Sequence, residues 1–196
     1  ASDVNRADDP LSQRVLKTAS KLGIKRYRMS YFRYDLTKPI RPQLTEFAPI
    51  LKDLVQLNAE LSLQAVYQNH AGKQFVGGTI WDIEQLVREH SLDQVGIAFD
   101  IRHATAEAGV SWPTLFHVAE PHIGAIYVKD FRWGKTKPEN VPLGEGRVDP
   151  KFFDLVERAK FRGPFSLHVE YLGDKGLGPN LKALRDDLAT LKKWLA

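Results

Sequence analysis

Apolar residues along the chain recur in two alternating patterns. Five short apolar stretches predict strands: Ile24–Phe32, Leu61–Gln68, Val95–Asp100, Ile123–Asp130 and Phe165–Glu170. Between them the spacing becomes helical. Leu11, Val15, Leu16, Ala19 and Leu22 share one face, with Asp8-Asp9-Pro10 before them and Gly23 after. An acidic cap, an early proline and a closing glycine mark a helix at both ends. Leu44, Phe47, Leu51, Leu54 and Val55 repeat that period over Gln43–Asn58. Further helices are predicted near Trp81–Glu89 and Trp112–Glu120, from Pro150 to Arg162, and over Asn180–Leu195. A Gly-rich loop covers His70–Thr79, and a long polar loop leads from Asp130 to Pro150. Regular alternation of strand and helix means parallel strands joined by helical crossovers. No linker or shift in composition divides residues 1–196, so one domain is expected.

The pleat of each strand narrows the architecture. Phe165, Leu167 and Val169 lie on one side, with Ser166, His168 and Glu170 on the other. Val95, Ile97 and Phe99 oppose Gly96, Ala98 and Asp100, while Ile126 and Val128 oppose Ala125, Tyr127 and Lys129. A doubly wound sheet, covered by helices on both sides, is apolar on both faces. Here one face is greasy and the other small or polar, which fits an α/β fold of the (β/α) TIM-barrel type. Neither G-x-G-x-x-G nor a P-loop is present. Such a barrel has eight strands in about 250 residues; five are visible. The chain therefore reads as the C-terminal portion of a barrel, with three N-terminal βα units missing before residue 10. The expectation is a longer native product, or a partner chain that closes the barrel, because open sheet edges invite aggregation.

Four of these stretches end in groups capable of chemistry: SLQAVYQNH (62–70), VGIAFDIRH (95–103), AIYVKDF (125–131) and FSLHVEY (165–171). The C-terminal ends of parallel strands converge on one face, where barrel enzymes place their sites. Glu170 is expected as a general base or ligand, against pairing with Lys129 or Arg28. Asp100 belongs with it. Lys129 could stabilise an enediolate or act as a base, against an ion pair with Asp130 or Glu170. Arg28 would meet a substrate anion if it faces inward. His70 could contact a bound ligand or fix its loop; His168 lies one inward layer below Glu170. Tyr127 could donate a phenolic hydrogen bond, and Trp133 could offer an aromatic face to a ligand. The backbone N–H groups of Gly144-Glu145-Gly146 could face a substrate oxygen or phosphate.

Charge and composition remove other classes. The net charge of +4 is spread along the 196 residues, without the clustered basic patch that nucleic acid needs. With no cysteine there is no disulfide, thiolate metal site or cysteine nucleophile. No apolar run approaches the ~18 residues of a transmembrane helix, so no membrane partner is expected. A soluble protein, cytoplasmic or periplasmic, of open oligomeric state follows.

Together, the Asp8-Asp9-Pro10 helix with its LGIKRY exit, Asp100-Ile-Arg-His103, Tyr127-Val-Lys-Asp130, Pro142-Leu-Gly-Glu-Gly146 with Val148-Asp149, and Ser166-Leu-His-Val-Glu170 resemble the sugar phosphate isomerase/epimerase group, the xylose-isomerase-like TIM barrels. The resemblance runs from about Asp8 to the end and covers the last five strands of that barrel. It implies a divalent metal held by glutamate, aspartate, histidine and glutamate, and proton transfer next to a sugar carbonyl. It also makes His103 a substrate-contact position. The chain departs from this pattern. Gln68 stands at the first glutamate position, Tyr127 at the histidine, Gln74 at a further acidic position, and Trp133 near a frequent arginine. Asp100 and Glu170 remain, so Mg, Mn or Zn would be held by these two with Gln68. The resulting expectation is a carbohydrate isomerase or epimerase with Glu170, Lys129 and Asp100 catalytic. Gln68, His70, His103, Tyr127, Trp133 and His168 would contact a sugar or sugar derivative. The alternative is a non-catalytic sugar-binding or regulatory protein on a degenerate isomerase barrel. A nuclease-like relative with several zinc ions ranks last, since six histidines do not supply its ligands.

Overall fold

A computed structural model describes residues 3–196. Helix α1 (Pro10–Lys21) begins where Asp9 accepts hydrogen bonds from the N–H groups of Leu11 and Ser12, with Pro10 in the first turn. It ends in a Schellman motif. Gly23 lies at φ +76°, its N–H donates to Ser20 O, and Ile24 N–H donates to Ala19 O, each at 3.0 Å. The punctuation read from the sequence is the punctuation that forms.

Strands β1 (Arg26–Arg28), β2 (Gln64–Gln68), β3 (Val95–Asp100) and β4 (Ile123–Val128) follow, separated by α2 (Ile40–Leu61), α3 (Trp81–Val87), α4 (Ile101–Ala108) and α5 (Trp112–Ala119). A hairpin, β5 (Asp130–Trp133) and β6 (Pro138–Val141), precedes α6 (Phe152–Arg158), β7 (Phe165–Leu167) and α7 (Leu177–Trp194). Among the described residues, β1-β2-β3-β4-β7 pair in that order, all parallel, into a curled half-barrel. β1 and β7 form its edges. No helix among the described residues is long and apolar enough to cross a membrane.

The pleat divides as the sequence requires. Ala65, Tyr67, Ile97, Phe99, Ile126 and Val128 face outward onto Leu51, Leu54, Ile83, Phe116 and Phe152 of the helices. Full burial of each large side chain there stabilises the fold by about 1.5–3 kcal/mol. The inner face holds a separate small cluster of Val66, Ala98 and Ala125, with Tyr127 against it. Small side chains leave room on this concave side, and polar groups gather at its C-terminal rim.

Four expectations are corrected. The first strand shortens from Ile24–Phe32 to Arg26–Arg28, because the edge pairs only with β2; Met29 N–H still donates to Val66 O at 3.1 Å. The last shortens from Phe165–Glu170 to Phe165–Leu167, and His168 N–H alone continues the ladder, to Val128 O at 2.9 Å. An unforeseen helix, α4, starts directly from β3, since the Asp100 side chain caps it by accepting from His103 N–H at 3.1 Å. The long polar loop contains the β5–β6 hairpin.

That hairpin hangs on one carboxylate. Asp130, only 2% exposed, accepts from the backbone N–H groups of Phe131, Gly144, Gly146, Arg147 and Val148 at 2.8–3.0 Å. The Gly144 and Gly146 amides therefore bind an internal anion and the Glu145 N–H donates to Pro142 O at 3.1 Å, correcting the expectation that they face a substrate. Gly146 is required there, since a Cβ would collide with the Asp130 carboxylate and Phe131 O. Nor does Asp130 pair with Lys129. Asp130→Asn replaces the charge and turns one acceptor into a donor facing N–H groups. It should cost at least about 3 kcal/mol in urea unfolding; a loss under about 1 kcal/mol would show that the loop stands without this anchor.

Candidate active site

Strand geometry brings the predicted residues to one rim. Gln68 and Asp100 end β2 and β3 on the inner face, and Lys129 lies one residue past β4. Asn69 locks the first two ends together: its Oδ1 accepts from Asp100 N–H at 2.7 Å and its Nδ2 donates to Asp100 O at 3.1 Å. Asp100 is fully buried. Its Oδ2 accepts from Gln68 Nε2 at 2.6 Å and lies 3.5 Å from Lys129 Nζ. Lys129, 6% exposed, donates to both Glu170 oxygens at 3.1 and 3.0 Å. The ammonium thus sits between the two carboxylates.

Other contacts fix this row. Gln68 Oε1 accepts from Arg28 at 2.9 Å and from the Tyr31 hydroxyl at 2.7 Å, so Arg28 does face inward. His168 Nδ1 lies 3.4 Å from Glu170 Oε1, with its Nε2 3.0 Å from Ser166 Oγ, and Asn140 Nδ2 donates to Glu170 Oε2 at 3.3 Å. The His168 hydrogen bond first, and then Lys129, hold the half-exposed Glu170 carboxyl down at about 2, against a burial that would raise it.

His103 Nδ1 accepts from Ala71 N–H at 3.2 Å and from Arg102 Nη1 at 3.0 Å. Its proton therefore resides on Nε2, which has no hydrogen-bond partner and lies 3.7 Å from Asp100 Oδ2. Burial, with Lys129, His70 and Arg102 nearby, pushes His103 far below the ordinary imidazole range and keeps it neutral. His70 donates from Nδ1 to Ala71 O at 2.8 Å and packs on the His103 ring at 4.0 Å between centroids; burial lowers it too.

A cleft of about 450 Å³ opens over the rim. Its walls include His70, His103, Lys129, Trp133 and Glu170. Gln68, Asp100, Tyr127 and His168 do not line it. The first two lie behind Lys129, while Tyr127 packs against the His168 ring at 4.7 Å, its phenol raised by burial. Trp133, on the hairpin, is exposed at the mouth. Tyr31, Asn69, Arg102 and Asn140 belong to the site although the sequence did not single them out. Arg102 sits inside the Asp100–His103 motif; Asn140 was hidden in the polar loop. A larger depression of about 620 Å³ beyond the hairpin contains none of the strand-end groups.

The donor set does not fit the implied metal. Gln68 turns its NH₂ toward Asp100, and its oxygen is taken by Arg28 and Tyr31. Tyr127 is a half-buried phenol whose pKa burial raises, a poor ligand at neutral pH. Lys129 already places a positive charge between Asp100 and Glu170. Among the described residues, no group of three or more His, Cys, Asp or Glu is placed to hold an ion.

The model of the xylose isomerase-like TIM barrels matches residues 11–194. Among solved structures the chain is similar to a xylose isomerase domain protein from Planctomyces limnophilus (17% identity, TM-score 0.74, 93% of this chain and 64% of that one). It is also similar to 3-keto-D-glucoside 4-epimerase from E. coli (19%, 0.68, 92% and 68%). A D-psicose 3-epimerase solved in the presence of D-fructose is another such structure (15%, 0.71, 99% and 76%). At these identities the likeness concerns the fold alone. The chain spans less than two thirds of the first of these structures. No curated protein matches it in sequence.

Glu170 gives the ion pair a pH signature. Its folded pKa, about 2, lies below the ordinary value of 4.5. The resulting stabilisation is complete above pH 4.5 and is lost as pH falls toward 2. Between these limits the melting temperature should fall more steeply for the parent than for Glu170→Gln. Parallel curves would mean that the pair contributes nothing.

Proposed function

The chain belongs to the xylose isomerase-like TIM-barrel family, and on that footing we propose that its rim cleft binds a sugar and moves a proton at the carbon next to the sugar carbonyl. The observation that supports this most is Lys129, buried and held between Asp100 and Glu170 at the floor of the cleft. A cation fixed there stabilises the oxygen that becomes negative when the proton leaves. Lys129 takes the electrostatic role, and the sequence of steps needs no metal.

Glu170 is the base. In the resting pair it is a weak one, because Lys129 and His168 both stabilise its charge. A substrate oxygen inserted beside Lys129 competes for the ammonium's donors and returns basicity to the carboxylate. His103 presents a neutral Nε2–H to the cleft, one donor for an oxygen of the substrate. Asp100 does not touch substrate; it positions Lys129 and caps α4. Gln68 and Tyr127 support the rim from behind, and Trp133 offers an aromatic face at the mouth.

The second reading is a sugar-binding protein without turnover. The closeness of the Lys129–Glu170 pair favours it, since a carboxylate held near 2 abstracts a carbon-bound proton slowly. The two separate in D₂O. With ketohexoses and chelator, NMR should show solvent exchange at the carbon next to the carbonyl. Lys129→Met should slow exchange ~10²–10³-fold, and Glu170→Gln ~10²–10⁴-fold. Sugar binding without exchange would select the second reading. Exchange abolished by chelator would overturn the role given to Lys129.

A further inference from the structure

Arg102 forms no ion pair among the described residues, and the nearest carboxylates, Asp100, Glu170 and Glu107, act on it only at a distance. It lies in the first turn of α4 and is only 7% exposed. Its Nη1 donates to His103 Nδ1 at 3.0 Å, and its Cζ lies 5.0 Å from the Phe131 ring centroid. Its Nε has no hydrogen-bond partner. The neighbouring acids are engaged elsewhere: Asp100 with Gln68 and Lys129, Glu170 with Lys129, His168 and Asn140, and Glu107 with Gly72 N–H at 2.8 Å. Burying an unpaired guanidinium is costly, so such a group is retained where a partner arrives.

A second buried donor stands beside it. His103 Nε2 carries a proton and also has no hydrogen-bond acceptor. Arg102 and His103 are walls of the same cleft, together with Lys129 and, nearer the mouth, Lys137. Two buried donors without acceptors at one wall call for an acceptor-rich group. The planar fork of arginine suits an oxyanion, which can accept two parallel hydrogen bonds.

We propose that Arg102, with His103, forms an oxyanion subsite in the cleft, and that the substrate is an acidic sugar bearing a carboxylate or a phosphate. This rests on the sugar reading above. It assigns Arg102 a specificity role: the anion docks at α4 and so orients the carbonyl end toward Lys129 and Glu170.

Calorimetric titration of the full chain tests it with four probes: D-fructose 6-phosphate, D-galacturonate, neutral D-fructose, and inorganic phosphate alone. At least one acidic sugar should bind tenfold or more tightly than fructose, and which one does so separates phosphate from carboxylate. Arg102→Gln should abolish the preference, bringing that ligand to the level of fructose measured with the same variant. Arg102→Lys keeps the charge but loses the fork, and should weaken the acidic sugar at least threefold; it carries the test if the glutamine variant does not fold. Fructose binding as tightly as both acidic sugars, or a preference unchanged in the variants, would overturn the subsite. If no sugar binds at all, the sugar reading fails by itself. Phosphate binding that depends on Arg102 would then sustain the subsite, and its absence would remove that too.

Discussion

Asp100 is a carboxylate with no access to solvent, and the rim of the half-barrel is arranged around keeping its charge satisfied. An isolated ion at such depth would cost several kcal/mol. Gln68 from β2, the His103 N–H of α4 and Lys129 beyond β4 supply the compensation. Each comes from a different element. Pairing of the strand ends, the start of α4 and the placement of Lys129 are thus one requirement met from three sides. Glu170 then takes the remaining donors of Lys129, which brings the last strand end into the same network.

An amide at residue 68 donates to Asp100 where a carboxylate would repel it. A lysine between two acids supplies positive charge without a set of oxygen ligands. The positive charge at the floor of the cleft is covalently part of the chain and confined to the reach of one side chain. Asp130 solves a related problem at the hairpin. Five backbone amides converge on it, so the loop behind Trp133 and Asn140 is set by a buried anion of the protein itself.

Much of this was legible in the sequence. The Asp9 cap and Gly23 stop predicted α1 because both act within a few residues. The pleat of Val95–Asp100 and Phe165–Glu170 predicted which side meets helices, because side chains alternate whatever lies around them. Convergence of Gln68, Asp100, Lys129 and Glu170 followed from parallel strands alone. The hairpin, α4 and the partners of Gly144-Glu145-Gly146 were not legible. Their cause is a contact between distant residues: Asp130 reaches across 14 to 18 positions. The role of Asp100 as a cap is concealed by its place at the end of an apolar strand.

The sequence by itself determined the alternation of strands and helices, the greasy and polar faces, and the list of chemical groups at the strand ends. These depend on local periodicity, which a linear chain carries in full. Only the tertiary structure decided which group each one meets. It turned the Gln68 amide toward Asp100, placed Lys129 between two acids, fixed the proton on His103 Nε2, and left Arg102 buried without a direct ion pair. Pairing, protonation and unmet charge depend on distance in space and on exclusion of water. Neither exists until the strands lie side by side.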